Sequence, residues 1–405
     1  MEIHEVKLGD VAAVKGGKRL PKGINLITKP NTHPYIRVRD LNGKRTLELD
    51  SSFEFVDDET QKTISRYIVN DGDIVLSIVG TVGLVAIVGK SLNEANLTEN
   101  CVKLTSLSGV DRDFLYYFLK SSYGQQEITR GTVGAVQAKL PIKNIQDITI
   151  PLPDELTQSK IAAVLSSLDT RIETNRKIND NLQQQLRAFF KAEFTDNPEL
   201  ESMTKIPLSE LCHVVTKGTT PTTLGKPFVE SGINFIKAES ILDDHSIDKS
   251  KFAFIDEETN VLLKRSIIHA GDVVFTIAGT LGRFALIDEN VLPANTNQAV
   301  AIIRADVGKV LPEYIYTTFI GEWHTDYYAK RVQQAVQANL SLTTIKSLPI
   351  PLLDNVKMGE YLRLILPIIK AIKGNETQNE KLAALRDSLL PKLMSGEIDV
   401  SEVQL

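Results

Sequence analysis

Gly72-Asp-Ile-Val-Leu-Ser-Ile-Val-Gly-Thr-Val-Gly-Leu-Val-Ala-Ile-Val88 returns later in the chain as Gly271-Asp-Val-Val-Phe-Thr-Ile-Ala-Gly-Thr-Leu-Gly-Arg-Phe-Ala-Leu-Ile287, with eight of 17 positions identical. A second pair repeats the message. Ala135-Val-Gln-Ala-Lys-Leu-Pro-Ile-Lys-Asn-Ile-Gln-Asp-Ile-Thr-Ile-Pro-Leu152 matches Ala335-Val-Gln-Ala-Asn-Leu-Ser-Leu-Thr-Thr-Ile-Lys-Ser-Leu-Pro-Ile-Pro-Leu352 at nine of 18 positions, 200 residues on. Weaker echoes keep the same order: Tyr35-Ile-Arg-Val-Arg with Phe235-Ile-Lys-Ala-Glu, and Phe114-Leu-Tyr-Tyr-Phe-Leu with Tyr314-Ile-Tyr-Thr-Thr-Phe. Solenoid repeats span about 20–50 residues. A period near 200 is instead a tandem domain duplication within the 405-residue chain.

Each copy has two parts. The first carries short apolar or alternating runs bounded by Gly, Asn and Asp, the pattern of strands and tight turns. The uncharged run 74–89 is shorter than the roughly 20 residues of a membrane helix and is broken by glycine. It reads as two buried strands and a turn. Arg112–Ser121 has helical spacing, so each first part mixes α and β.

The second part has a helical period. Ile161, Leu168, Asn175, Leu182 and Phe189 recur every seven residues, with Val164, Leu165, Ile172, Ile178 and Leu186 on the same face. Tyr361, Ile368, Asn375, Leu382 and Leu389 repeat that register, supported by Leu364, Ile365, Ile372 and Leu385. Both stretches, 155–194 and 355–394, are expected to be long helices with coiled-coil spacing. Pro367 and Gly374 mark an expected bend or weak spot in the second. Asn175 and Asn375 hold equivalent seam positions, where two aligned amides would satisfy one another and fix register, or where each simply faces water.

Domain termini often lie close together. The end of the first helix and the start of the second flank one module, so the helices are expected to run antiparallel. Two similar heads related by an approximate two-fold axis suit DNA, whose strands carry the same symmetry. The expected fold is α+β: mixed modules at 1–153 and 201–353, and helical segments at 154–200 and 354–405 forming a central coiled coil.

The net charge of −5 excludes a generic nucleic-acid sponge, but charge is segregated. Residues 1–45 hold ten Lys or Arg against four acids, and the next fifteen hold six acids and no base. Cys101 and Cys212 have no metal-ligand or disulfide spacing, and a reducing cytoplasm is the expected compartment.

The whole chain resembles the specificity subunit of Type I restriction–modification systems. The resemblance is carried by the duplicated Gly-Asp runs, the Lys-Gly turns at Lys15–Gly23 and Lys217–Gly225, the Ile-Pro-Leu strand exits, and the segment Leu385–Ile398. It implies that the modules are two target recognition domains reading a bipartite asymmetric site, one half-site each. It further implies double-stranded DNA, two modification (methyltransferase) subunits and restriction/translocase subunits as partners. S-adenosylmethionine would sit on the modification subunit, and none in this chain.

Anchoring phosphate needs cations or exposed N–H groups, and reading bases needs forked donors or amides. In the first module the candidates are Lys15, Lys18, Arg19 and Lys22 on the turn, with Arg37 and Arg39 alternating on one strand face, where they would meet a groove or form ordinary surface salt bridges with the acids of 48–59. In the second they are Lys217, Thr219, Thr220, Thr222, Lys237 and Glu239. Residues 203–245 hold four bases and five acids, so this head leans on hydroxyls and amides. Thr81 and Thr280 sit in Gly-x-x-Gly turns, which serve equally as hairpins or phosphate approaches. Gln137 and Gln337, preceded by Arg130 and Arg331, suit adenine or loop structure alike.

Catalytic signatures are missing. There is no Asn-Pro-Pro-aromatic motif, no methyl-donor Gly-x-Gly loop and no P-loop, and the six histidines make no ligand spacing. A non-catalytic specificity subunit is the expectation. A self-contained methyltransferase or nuclease with an unrecognised site, or a non-catalytic protein scaffold, stands as the alternative.

Overall fold

The computed structural model describes residues 3–41, 43–134, 137–199, 201–332 and 339–404. The chain packs as two units, Met1–Ile172 with Lys381–Leu405, and Glu173–Glu380. The long helices Glu155–Phe190 and Asn355–Ser395 each contribute to both.

In the first unit, a five-stranded sheet runs in the order Ala13–Gly16, Cys101–Thr105, Ile74–Ser77, Val85–Val88 and Thr46–Leu47. Glu54–Phe55, Pro34–Ile36 and Asn96–Leu97 form a three-stranded sheet, and Ile3–Lys7 pairs with Thr149–Pro153. The uninterrupted apolar runs arise because the central strands are covered on both faces. Ile74, Leu76, Val85 and Ile87 pack toward the aromatic helix Arg112–Lys120 and the helix residues Ile161, Leu165, Leu390 and Leu393. The alternate residues Val75, Ala86 and Val88 enter a second core with Ile36, Phe55 and Leu97.

The second unit repeats the plan. Cys212–Lys217, Val300–Ala305, Val273–Thr276 and Phe284–Leu286 form its main sheet. Ala253–Ile255, Ile233–Ile236 and Ala294–Thr296 form the smaller one, and Lys205–Pro207 pairs with Pro349–Pro351. Val273, Phe275 and Phe284 face Leu186, Phe190, Tyr361 and Ile365, while Val274 and Ala285 face Ile236 and Ile302.

Within each unit the long helices run antiparallel. In the first, Arg386 Nη1 lies 2.5 Å from Asp169, and Lys160 Nζ donates to the carbonyl of Ser401, six residues past the end of the second helix, so numbers rise along the first helix as they fall along the second helix and its tail. In the second, Asn175 Nδ2 donates to Gln378 Oε1 at 2.7 Å and Asn379 Oδ1 at 2.8 Å, and Asn375 Nδ2 donates to Asn179 Oδ1 at 2.8 Å. Asn175 and Asn375 therefore do not pair directly. Each meets the asparagine one turn beyond the other, because the antiparallel stagger sets the two off by four residues. Ile178, Leu364 and Leu385, expected on the seam, are exposed. Asn179, Phe190, Ile369 and Leu393 are buried instead. The second helix continues through Pro367 and Gly374 without interruption.

Candidate nucleic-acid interface

Each module's first core strand leaves its sheet at a glycine. Gly17 N donates to Cys101 O at 3.0 Å and Lys18 N to Leu97 O at 2.8 Å. In the second module Gly218 N donates to Val300 O at 3.4 Å and Thr219 N to Thr296 O at 3.2 Å. A Cβ on Gly17 would fall 2.0 Å from Thr98 O, and one on Gly218 would fall 1.9 Å from Thr296 O. Only glycine lets the exit lie this close to the end of the smaller sheet's parallel strand, Asn96–Leu97 or Ala294–Thr296.

The exits carry different chemistry. In the first, Arg19 Nε lies 2.6 Å from Glu99 Oε1, with 80% of the Arg19 side chain exposed. Lys18 Nζ stands 5.6 Å from the Tyr67 ring centroid, and Tyr35 donates its hydroxyl to Lys18 O at 2.7 Å. Partial burial raises the Glu99 carboxyl, but hydrogen bonds from Arg19, its own backbone and Thr98 outweigh it and leave the group below its usual range. In the second, the Thr220 hydroxyl bonds the Gln298 side-chain oxygen, and Arg265 donates to Thr219 Oγ1 at 3.3 Å. Thr222 is exposed on the short turn Pro221–Leu224, which Gly225 closes at φ +71°.

Arg37 and Arg39 do not alternate along a strand. The strand ends at Ile36, and Val38–Asp40 winds into a 3-10 turn closed by Arg37 N donating to Asp40 Oδ2 at 2.7 Å. Both guanidinium groups converge on Glu54, Arg39 at 3.1 Å. Burial pushes the Asp40 carboxyl beneath them up to about 6, against the opposing pull of Arg39. Lys237 precedes the matching turn, Ala238–Ser240, and pairs with Glu239 inside it at 2.7 Å.

The other candidates are spread out. Lys15 and Lys217 are exposed on the exit strands, and Lys22 on the loop beyond. Thr81 and Thr280 are exposed at turn tips whose carbonyls are held by Ser77 and Thr276, with Gly80, Gly83, Gly279 and Gly282 at positive φ. Arg130 is 77% exposed and pairs with Glu127, and Gln137 is exposed. Arg331 falls in the helix Thr325–Val332, and Gln337 lies outside the described residues.

Glu99, Gln298, Tyr67 and Arg265 are the neighbours that reading along the chain passes over. Their signal lies in the duplication: Asn96-Leu-Thr-Glu99 aligns with Asn295-Thr-Asn-Gln298, placing an acid against an amide. Among the described residues, no group of three or more His, Cys, Asp or Glu is placed to hold a metal ion. No described helix is long and apolar enough to cross a membrane.

A family model described as the Type I restriction modification DNA specificity domain matches this chain twice, over residues 2–184 and 201–379. The MjaIX specificity subunit, of a Type I restriction enzyme of Methanocaldococcus jannaschii, is 23% identical over 98% of this chain and 94% of its own. The EcoBI specificity subunit of Escherichia coli is 22% identical over 67% of this chain and 63% of its own. The crystal structure of a Type-I restriction-modification system S subunit from M. genitalium aligns at a TM-score of 0.54 and 18% identity, covering 97% of this chain and 96% of that one.

Proposed function

This chain belongs to the Type I restriction modification DNA specificity domain family, and from that premise we propose that it is the sequence-reading subunit of such an enzyme, each module reading one half of a bipartite site. One observation carries the reading. A single backbone frame is built twice, around Gly17 and Gly218, and presents different polar side chains each time. A duplicated frame with exchanged side chains is what recognition of two dissimilar half-sites requires. Sequence information in a groove is read by side-chain donors and acceptors, while the supporting backbone only positions them.

The chemistry of modification lies on partners in this proposal. Modification subunits carry S-adenosylmethionine and methylate adenine at the sites this chain selects, and restriction/translocase subunits join for cleavage, in the cytoplasm. The first module supplies a cationic exit, with Lys15, Lys18, Arg19 and Lys22, for phosphate and base contacts. The second supplies hydroxyls and amides.

The experiment is co-expression with the cognate modification subunits, followed by mapping of methylated adenines across the host genome. A bipartite asymmetric motif, lost when this chain is omitted, is the expected result. Methyl transfer by the isolated chain would favour a self-contained enzyme. Protein binding with no effect of DNA sequence would favour a scaffold.

A further inference from the structure

The two strand exits share one backbone and differ in the pair of side chains mounted at one place. Arg19 stands two residues beyond Gly17, and Thr220 two beyond Gly218. Opposite them, on the turn that the glycine abuts, stand Glu99 and Gln298. One location holds an acid–base pair in the first module and a hydroxyl–amide pair in the second.

Both pairs are made in exposed settings. An ion pair as exposed as Arg19–Glu99 adds little to stability. Phosphate anchoring does not account for them either. A carboxylate 2.6 Å from the guanidinium would be repelled by a phosphate, and the Thr220 hydroxyl already donates its proton to Gln298, so it has none left for a phosphate oxygen. What both pairs provide is a polar group held at a set angle by its partner.

We infer that Arg19–Glu99 and Thr220–Gln298 are the specificity-determining pairs of the two modules, the first reading a guanine and the second an adenine. The inference rests on the DNA-reading function proposed above. Glu99 takes the Nε edge of Arg19, which fixes the guanidinium plane and leaves the two terminal nitrogens to donate side by side. That fork matches N7 and O6 of guanine in the major groove. Gln298 carries a donor and an acceptor on one planar amide, the match for N6 and N7 of adenine, and Thr220 holds its rotation.

The test uses the full chain co-purified with its modification subunits and a randomised double-stranded DNA library, selected at one fixed salt concentration. The wild-type complex should enrich a bipartite motif with guanine at one position of one half-site. Arg19→Thr with Glu99→Gln transplants the second pair onto the first frame. This double variant should lose the guanine preference on the order of tenfold, the discrimination expected of one bidentate contact, and shift toward adenine. The other half-site should stay unchanged. Arg19→Lys, which keeps the charge and removes the fork, should also lose the guanine preference. An unchanged motif with uniformly weaker binding would make Arg19 a phosphate anchor, and an unchanged motif with unchanged binding would make the pair a surface ornament; either overturns the inference. Loss of both half-sites in the double variant would mark misfolding, and Arg19→Lys then decides alone. A wild-type complex that enriches no motif overturns the DNA-reading function itself.

Discussion

Asn375 donates its side-chain amide to Oδ1 of Asn179 across 2.8 Å, inside a seam where Asn179 is only 8% exposed. Asn179 in turn donates to the Ile372 carbonyl at 3.2 Å, so the amide is committed on both sides. Removing Asn375 leaves the buried Asn179 Oδ1 without this donor, and removing Asn179 leaves the half-buried Asn375 amide without this acceptor. A loss of this kind costs about 1–3 kcal/mol, whereas replacing both by apolar groups can be nearly neutral. Asn179→Leu and Asn375→Leu should each lower the unfolding free energy by about that amount. The double variant should lose less than the sum of the two. A denaturant-unfolding cycle measures this, and strict additivity would show that the pair does not interact.

Asp169 serves two partners in the first unit. It accepts from the Tyr117 hydroxyl at 2.7 Å and lies 2.5 Å from Arg386 Nη1. Burial, and the bond to this carboxylate, hold the Tyr117 hydroxyl well above its ordinary pKa. Asp169→Ala strands the buried Tyr117 hydroxyl and takes from the partly buried Arg386 one of its two carboxylates, leaving it Asp387 at 2.8 Å. Breaking a buried pair from one side costs about 3–5 kcal/mol, and the 28% exposure of Arg386 places this case toward the lower end or below it. A melting temperature unchanged from wild type would contradict this.

The strand pairs around 72–88 and 271–287 were legible because their apolar runs reflect burial on both faces, and the helices because their period persists over many turns. The partners Glu99 and Gln298 were not, since each faces a residue about 80 positions earlier through sheet pairing that no local pattern encodes. Arg37 and Arg39 look like a strand because they alternate. Asp40 ends that strand by capping Arg37 N, and an Asp three residues after an extended position is a signal that alternation alone overlooks. Asn175 and Asn375 each bond across to the other helix, but the stagger of four residues between antiparallel helices is not encoded in the spacing along either one.

The strand-exit glycines make a paired prediction. A Cβ at Gly17 or Gly218 would sit within about 2 Å of a backbone carbonyl, which cannot move without breaking the strand exit. Gly17→Ala and Gly218→Ala should each destabilise by about 1–3 kcal/mol or more. Gly16, whose Cβ would meet only Ile142 Cδ1 at 3.5 Å, should accept alanine far more easily. Thermal unfolding of the three variants checks the order.

Acid should weaken the second unit through two buried histidines. His245 stacks on Phe284 with centroids 4.0 Å apart, and neither ring nitrogen has a protein partner. His324 packs among Phe275, Phe319 and Tyr328. Burial holds both near pKa 4, with Arg187 and Lys373 adding to the effect on His245 against Asp243 and Asp244, and His245 adding to it on His324. Both rings are therefore neutral in the folded chain while the unfolded chain takes up protons below about 6.5. The stability contributed by their neutrality is complete above that pH and is lost as pH falls from about 6.5 to about 4, by roughly 2–3 kcal/mol for each ring. His324→Phe should flatten the fall between pH 7 and pH 5. His245→Asn should do the same, because asparagine tolerates the φ of +64° at that position. Melting temperatures of wild type and both variants across that range measure the effect, and parallel pH profiles would rule the histidines out as its source.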